Sequence, residues 1–129
     1  MIYIISSKFN NVITENLKNS AVKILEQKKE KYKIINVPGA VEIPIIAQKM
    51  SRKKETSVII ALGCVIKGDT DHYEFVLRSC IDGLNRVSLD ESVPIIQGIL
   101  ACRNFSDAWD RRMLGEDFAL TALEIKKLF

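Results

Sequence analysis

The sequence predicts an α/β fold, a three-layer αβα sandwich built on a four-stranded parallel sheet. Two observations predict it. Short apolar runs rich in β-branched residues, above all MIYIISS and SVIIALGCV, lack the alternation of a strand with one wet face and suit strands buried on both. Between such runs lie segments whose apolar residues recur at helical spacing, and strands alternating with helices imply right-handed crossovers and a parallel sheet covered on both faces. At 129 residues and 47% hydrophobic, the chain holds material for one core rather than two, so residues 1–129 are expected to form a single domain.

Met1 to Ser7 is the first strand. KFNNVIT follows as a loop, with Thr14 placed to cap a helix that gathers Leu17, Ala21, Ile24, Leu25 and the stem of Lys28 on one side. Tyr32 to Val37 is the second strand. Pro38-Gly39 breaks it, and a helix from Ile43 to about Met50 tolerates Pro44 in its first turn. Ser57 to Val65 is the third strand, and the polar turn KGDTD follows it. From His72 onward, Tyr73, Val76, Leu77, Cys80, Ile81 and Leu84 recur at helical spacing, so a helix begins at the histidine. Pro94 to Leu100 is the fourth strand. Asn104 is placed to cap a short helix through Trp109, and Gly115 interrupts before a last helix to Phe129.

Composition narrows the function classes. The net charge is +3, and the basic runs KKEKYK and SRKKE are mixed with acids, as solvated helix ends and loops are, so no nucleic-acid partner is expected. No apolar run approaches membrane-spanning length, and no export signal precedes the first strand, so the expectation is a cytoplasmic protein without a membrane partner. Cys64, Cys80 and Cys102 are widely spaced, and the single histidine cannot complete a zinc site with them. Buried thiols and no metal are expected.

In open parallel sheets ligands bind beyond the carboxyl ends of the strands, which directs attention to the loops beginning at Lys8, Pro38, Val65 and Ala101. Gly68 and the helix start after it suit an anion near Gly68 to Thr70, in competition with a capping box formed by Asp71 and Glu74. His72, the sole histidine, fits general acid–base work, or else merely starts its helix. Glu42 lies just past a strand end, able to accept hydrogen bonds from a polyol or amide, or to serve as an ordinary first-turn acid. Phe9 either stacks on a planar heterocycle or anchors its loop in the core. Arg111 and Arg112 offer a guanidinium fork for phosphate, or are solvated.

KFNNVIT, VPGAVEIP, ALGCVIKGDTDHYEFV and, more loosely, PIIQGIL follow one another in an order that resembles the 6,7-dimethyl-8-ribityllumazine synthase family over nearly the whole chain. The resemblance implies a flavodoxin-like fold. It also implies a cofactor-free transferase of riboflavin biosynthesis that condenses 5-amino-6-(D-ribitylamino)uracil with 3,4-dihydroxy-2-butanone 4-phosphate, through an imine, with loss of phosphate and ring closure. On this resemblance Phe9 matches the ring that stacks on the pyrimidine. Ala40, Val41 and Glu42, with Cys64, Val65 and Ile66, match the segments that hold the uracil and ribityl chain. Asp69, Thr70 and Arg111 match the phosphate-binding positions, and His72 matches the proton donor. The resemblance further implies homopentamers, joined in some members into decamers or hollow shells, with sites at subunit boundaries and Gln97 as the residue lent by the neighbour.

Two departures stand out. Gln97 occupies a position where many relatives carry phenylalanine. The connection RRMLGED is shorter than usual, with Leu114 where a lysine is common. The alternatives are an archaeal-type riboflavin synthase, against which the Asp69 to His72 pattern speaks, and a noncatalytic pentameric flavin or pterin binder. A signalling receiver domain also fits the βα alternation, but the first strand ends in Ser6 and Ser7 rather than an acidic cluster.

Overall fold

The computed structural model describes residues 1–68 and 71–129. Its four strands, β1 (Ile2–Ser7), β2 (Tyr32–Val37), β3 (Val58–Ile66) and β4 (Ile95–Cys102), form one parallel sheet in the order β2-β1-β3-β4. This is the flavodoxin-like α/β sandwich expected. Every residue of β1 and β3 is buried, as their unbroken apolar runs require of central strands.

Five helices cover the sheet: α1 (Asn11–Gln27), α2 (Ile43–Ser51), α3 (Tyr73–Glu91), α4 (Phe105–Asp110) and α5 (Gly115–Lys126). Strand side chains alternate between two cores. Ile2, Ile4, Ile60 and Leu62 meet Leu17, Leu25 and Ala119 of α1 and α5, whereas Tyr3, Ile5, Ile59 and Ala61 meet Ile43, Cys80 and Leu84 of α2 and α3. Each fully buried Ile or Leu contributes about 1.5–3 kcal/mol of transfer free energy.

Several boundaries differ from the sequence reading. Helix α1 already begins at Asn11, so Thr14 is not its cap but a buried residue within it. Asn10 takes the left-handed conformation (φ 58°) that asparagine tolerates, and its side-chain amide donates to the carbonyl of Cys64 at 2.8 Å. That bond ties the loop to β3, so the helix starts without a side-chain cap. Lys28 is the exposed C-cap of α1 rather than a member of its buried side.

Asp71 and Glu74 form no capping box. His72 itself occupies the N-cap of α3, with no side-chain cap bond, and its carbonyl accepts from Val76 N at 2.8 Å. A short 3-10 turn, Ala40–Glu42, precedes α2, and Pro44 sits in the first turn of α2 as expected. Asn104 caps α4 by accepting from Asp107 N at 2.9 Å. Gly115 opens α5, which ends at Lys126 rather than Phe129.

All three cysteines are buried, and none is in a disulfide. Burial pushes Cys80 up to about 11 from an ordinary value of 9.0. Between those values the unfolded thiol is ionised while the folded one keeps its proton. Stability is therefore expected to fall as pH rises from about 9 towards 11. Unfolding curves across that range check this, and Cys80→Ala should remove part of the slope; an unchanged slope would contradict it.

Candidate active site

The carboxyl ends of β1, β2 and β3 surround an open apolar cavity of about 210 Å³. Ser7 and Phe9 border it from the end of β1, Gly39, Ala40 and Val41 from the turn after β2, and Cys64, Val65 and Ile66 from the end of β3. Val76 of α3 closes one side. Parallel strands place their carboxyl ends at one rim, and the breaks at Lys8 and at Pro38-Gly39 occur at the same level because Ser7 pairs with Val37.

Phe9 is 57% exposed. Its ring is therefore no loop anchor; it stands at the edge of the cavity, where an apolar surface in water favours a planar ligand. The loop that carries it is held by Lys8 N donating to Val37 O at 2.8 Å and Phe9 N to Pro38 O at 3.2 Å. Glu42 does not border the cavity directly. Its carboxylate folds back over Gly39, and a Cβ at Gly39 would lie 3.2 Å from Glu42 Oε1. A methyl group at Gly39 would therefore press on the carboxylate, which would have to give by a few tenths of an ångström.

His72 is exposed one turn before Val76, the residue of α3 that lines the cavity. Asp69 and Thr70, the expected phosphate-binding pair, lie outside the described residues. Arg111 is exposed at the C-cap of α4, beyond the end of β4, and its Nη1 donates to Asp107 O at 2.9 Å. Arg112 does not join it in a fork: its guanidinium lies 3.8 Å from the centre of the Trp109 ring and its Nη1 donates to Trp109 O at 2.8 Å.

Two buried thiols and a phenol lie behind this rim. Burial raises the Cys102 thiol, while the nearby Arg111 guanidinium pulls against that rise. The Tyr73 hydroxyl is also raised, first by burial and then by Cys102, Glu74 and Cys64. It therefore remains a hydrogen-bond donor at neutral pH. Tyr73 was legible in the sequence only as one more apolar position of α3; its place directly after the sole histidine was the available signal. Asn10 was missed as well, although an asparagine in a polar loop ahead of a helix is a known left-handed position.

The structure thus gathers Phe9, Ala40, Val41, Cys64, Val65 and Ile66 around one cavity, whereas Glu42 and His72 are not among the residues that line it. Gln97 is not among them. It lies mid-strand on β4, opposite Ala61, while the rim end of that strand is Cys102 opposite Ile66. Among the described residues no group of three or more His, Cys, Asp or Glu side chains is arranged to hold a metal ion, and no helix is long and apolar enough to cross a membrane.

Comparison with known proteins agrees with this geometry. The family model described as 6,7-dimethyl-8-ribityllumazine synthase matches residues 1–129. A relative of that name from Stenotrophomonas maltophilia (strain K279a) is 40% identical over 133 aligned residues, covering 97% of this chain and 86% of its own. One from Leuconostoc mesenteroides subsp. mesenteroides is 37% identical over 136, covering 99% and 87%. A third, from Buchnera aphidicola subsp. Baizongia pistaciae, is 40% identical over 133, covering 96% and 84%. With that cavity at the strand ends and a family match that runs from the first residue to the last, the chain belongs to the 6,7-dimethyl-8-ribityllumazine synthase family.

Proposed function

We propose that residues 1–129 form one lumazine synthase domain, a transferase of riboflavin biosynthesis that makes 6,7-dimethyl-8-ribityllumazine from 5-amino-6-(D-ribitylamino)uracil and 3,4-dihydroxy-2-butanone 4-phosphate. The observation that carries the site assignment is the apolar cavity between the exposed Phe9 ring and the helix headed by His72. The pyrimidine stacks on Phe9. Ala40, Val41, Cys64, Val65 and Ile66 bound the ring and the start of the ribityl chain, and Glu42 accepts hydrogen bonds from it. Asp69, Thr70 and Arg111 receive the phosphate.

Because the substrate amine is itself the nucleophile, the protein forms no covalent bond to either substrate. Orientation contributes most of the acceleration. His72 moves protons as the imine forms and as phosphate leaves, and the positive end of α3 faces the departing anion.

The reading also includes a homopentamer whose sites lie at subunit boundaries, with Gln97 supplied by the neighbour. What supports it is the large apolar surface left on a single chain: Phe75 is 73% and Leu89 81% exposed. Buried cysteines outside any disulfide suit a reducing cytoplasm.

The experiment is to incubate purified protein with both substrates and follow lumazine by its absorbance. Product that requires both is expected. No product from folded protein would overturn the reading in favour of a binder, and riboflavin made from lumazine alone would favour the archaeal-type synthase.

A further inference from the structure

Gln97 lies on the edge strand β4, on the sheet face that α3 covers, between the half-buried Ile95 and Ile99. Its Nε2 donates to Oδ1 of Asn85 on α3. This polar pair sits on a flank that is otherwise rich in exposed carbon: Phe75 and Leu89 of α3 stand in solvent to either side of Asn85 along the helix, and Ile81 lies one turn before it, half-buried.

A glutamine and an asparagine side chain together carry four N-H donors and two carbonyl oxygens. The bond between them uses one N-H and part of one oxygen. The remaining groups are satisfied by water while the flank is open. Once a second copy covers it, they must find partners there or be left buried and unpaired. The tether has a second effect. With Nε2 held by Asn85, the amide of Gln97 is restrained while its Oε1 keeps its capacity to accept.

We infer that Asn85 is a positioning residue for substrate: it holds the Gln97 amide so that the pair hydrogen-bonds the hydroxyls of the polyol chain of the uracil substrate bound at the neighbouring subunit's cavity. The inference rests on the proposed shared site. A polyol fits because every hydroxyl both donates and accepts, which matches a pair offering N-H and C=O together. An aromatic ring at position 97 would pack against such a chain without reading its hydroxyls, so the amide pair makes this chain more demanding of a hydroxylated side chain.

The test compares steady-state kinetics of the unaltered protein, Asn85→Leu, Asn85→Asp and Gln97→Ala. The uracil substrates are the ribityl compound and an analogue whose side chain is an alkyl group without hydroxyls. Leucine is a good helix former at an exposed position, and size-exclusion chromatography reports the assembly of each variant. Asn85→Leu is expected to raise KM for the ribityl substrate about tenfold, with KM for the butanone phosphate unchanged and no penalty with the alkyl analogue. Asn85→Asp, which keeps the acceptor for Gln97, should restore most of the loss.

An equal penalty with both uracils, or none with either, would overturn the inference. If Gln97→Ala raises KM while Asn85→Leu does not, the inference fails and the shared site survives. If neither variant moves KM in active assemblies, the shared-site reading fails with it. Absence of product from the unaltered protein would be a failure of the functional reading alone.

Discussion

Replacing His72 with alanine is expected to slow lumazine formation by about a hundredfold or more, the usual contribution of a positioned general acid–base. Its fold should survive the change. The start of α3 uses the His72 backbone, whose carbonyl accepts from Val76 N, and no side-chain cap bond is lost. His72 is exposed rather than packed in either core. Single-turnover absorbance measurements, together with a thermal melt, separate the two effects. A variant that melts as before and turns over as before would remove His72 from the mechanism and leave proton transfer to solvent or to the Tyr73 hydroxyl.

The largest loss of stability is expected from Gly115→Ala, about 3 kcal/mol or more. Gly115 is fully enclosed where α5 begins, and a methyl group there would overlap the carbonyl oxygen of Leu17 and the hydroxyl of Ser20. Neither can yield cheaply. The carbonyl is helix backbone, its carbon would be only 2.8 Å away, and the Ser20 hydroxyl is engaged in a 3.0 Å bond to Leu17 O. The helices must separate, which opens the core that Leu17 and Ala119 share with Ile60 and Leu62. Denaturant titration reads the change. An unaltered midpoint would mean that α1 and α5 pack less closely than this.

The same residue marks a limit of sequence reading. Gly115 was legible as a punctuation point before the last helix, and it is one; that it exists to let one helix lie on the backbone of another depends on a partner almost a hundred positions earlier. The start of α1 behaves similarly. KFNNVIT reads as a loop with Thr14 as cap because threonine is a good N-cap. The helix nevertheless begins at Asn11, since the Asn10 side chain is bound to the Cys64 carbonyl on another strand. The capping box at Asp71 and Glu74 failed because His72 holds the cap position. Phe9 could be read either as anchor or as platform, and only its exposure shows that it is not a ring packed into the core.

By itself the sequence determined the α/β class, all four strands and the rim at which the cavity lies, because runs buried on both faces and helical periodicity are local signals that every residue of an element repeats. It also carried the motifs by which the family is known. The tertiary structure alone decided which of the candidate residues meet. Phe9, Val41 and Cys64 converge because β1 and β2 end level with each other, Ser7 beside Val37, while β3 runs on past them to Ile66. Arg112 is drawn away to the Trp109 ring, and Gln97 is turned towards Asn85 on the outer flank. Such choices depend on distances between residues far apart in the chain, and no local pattern encodes them.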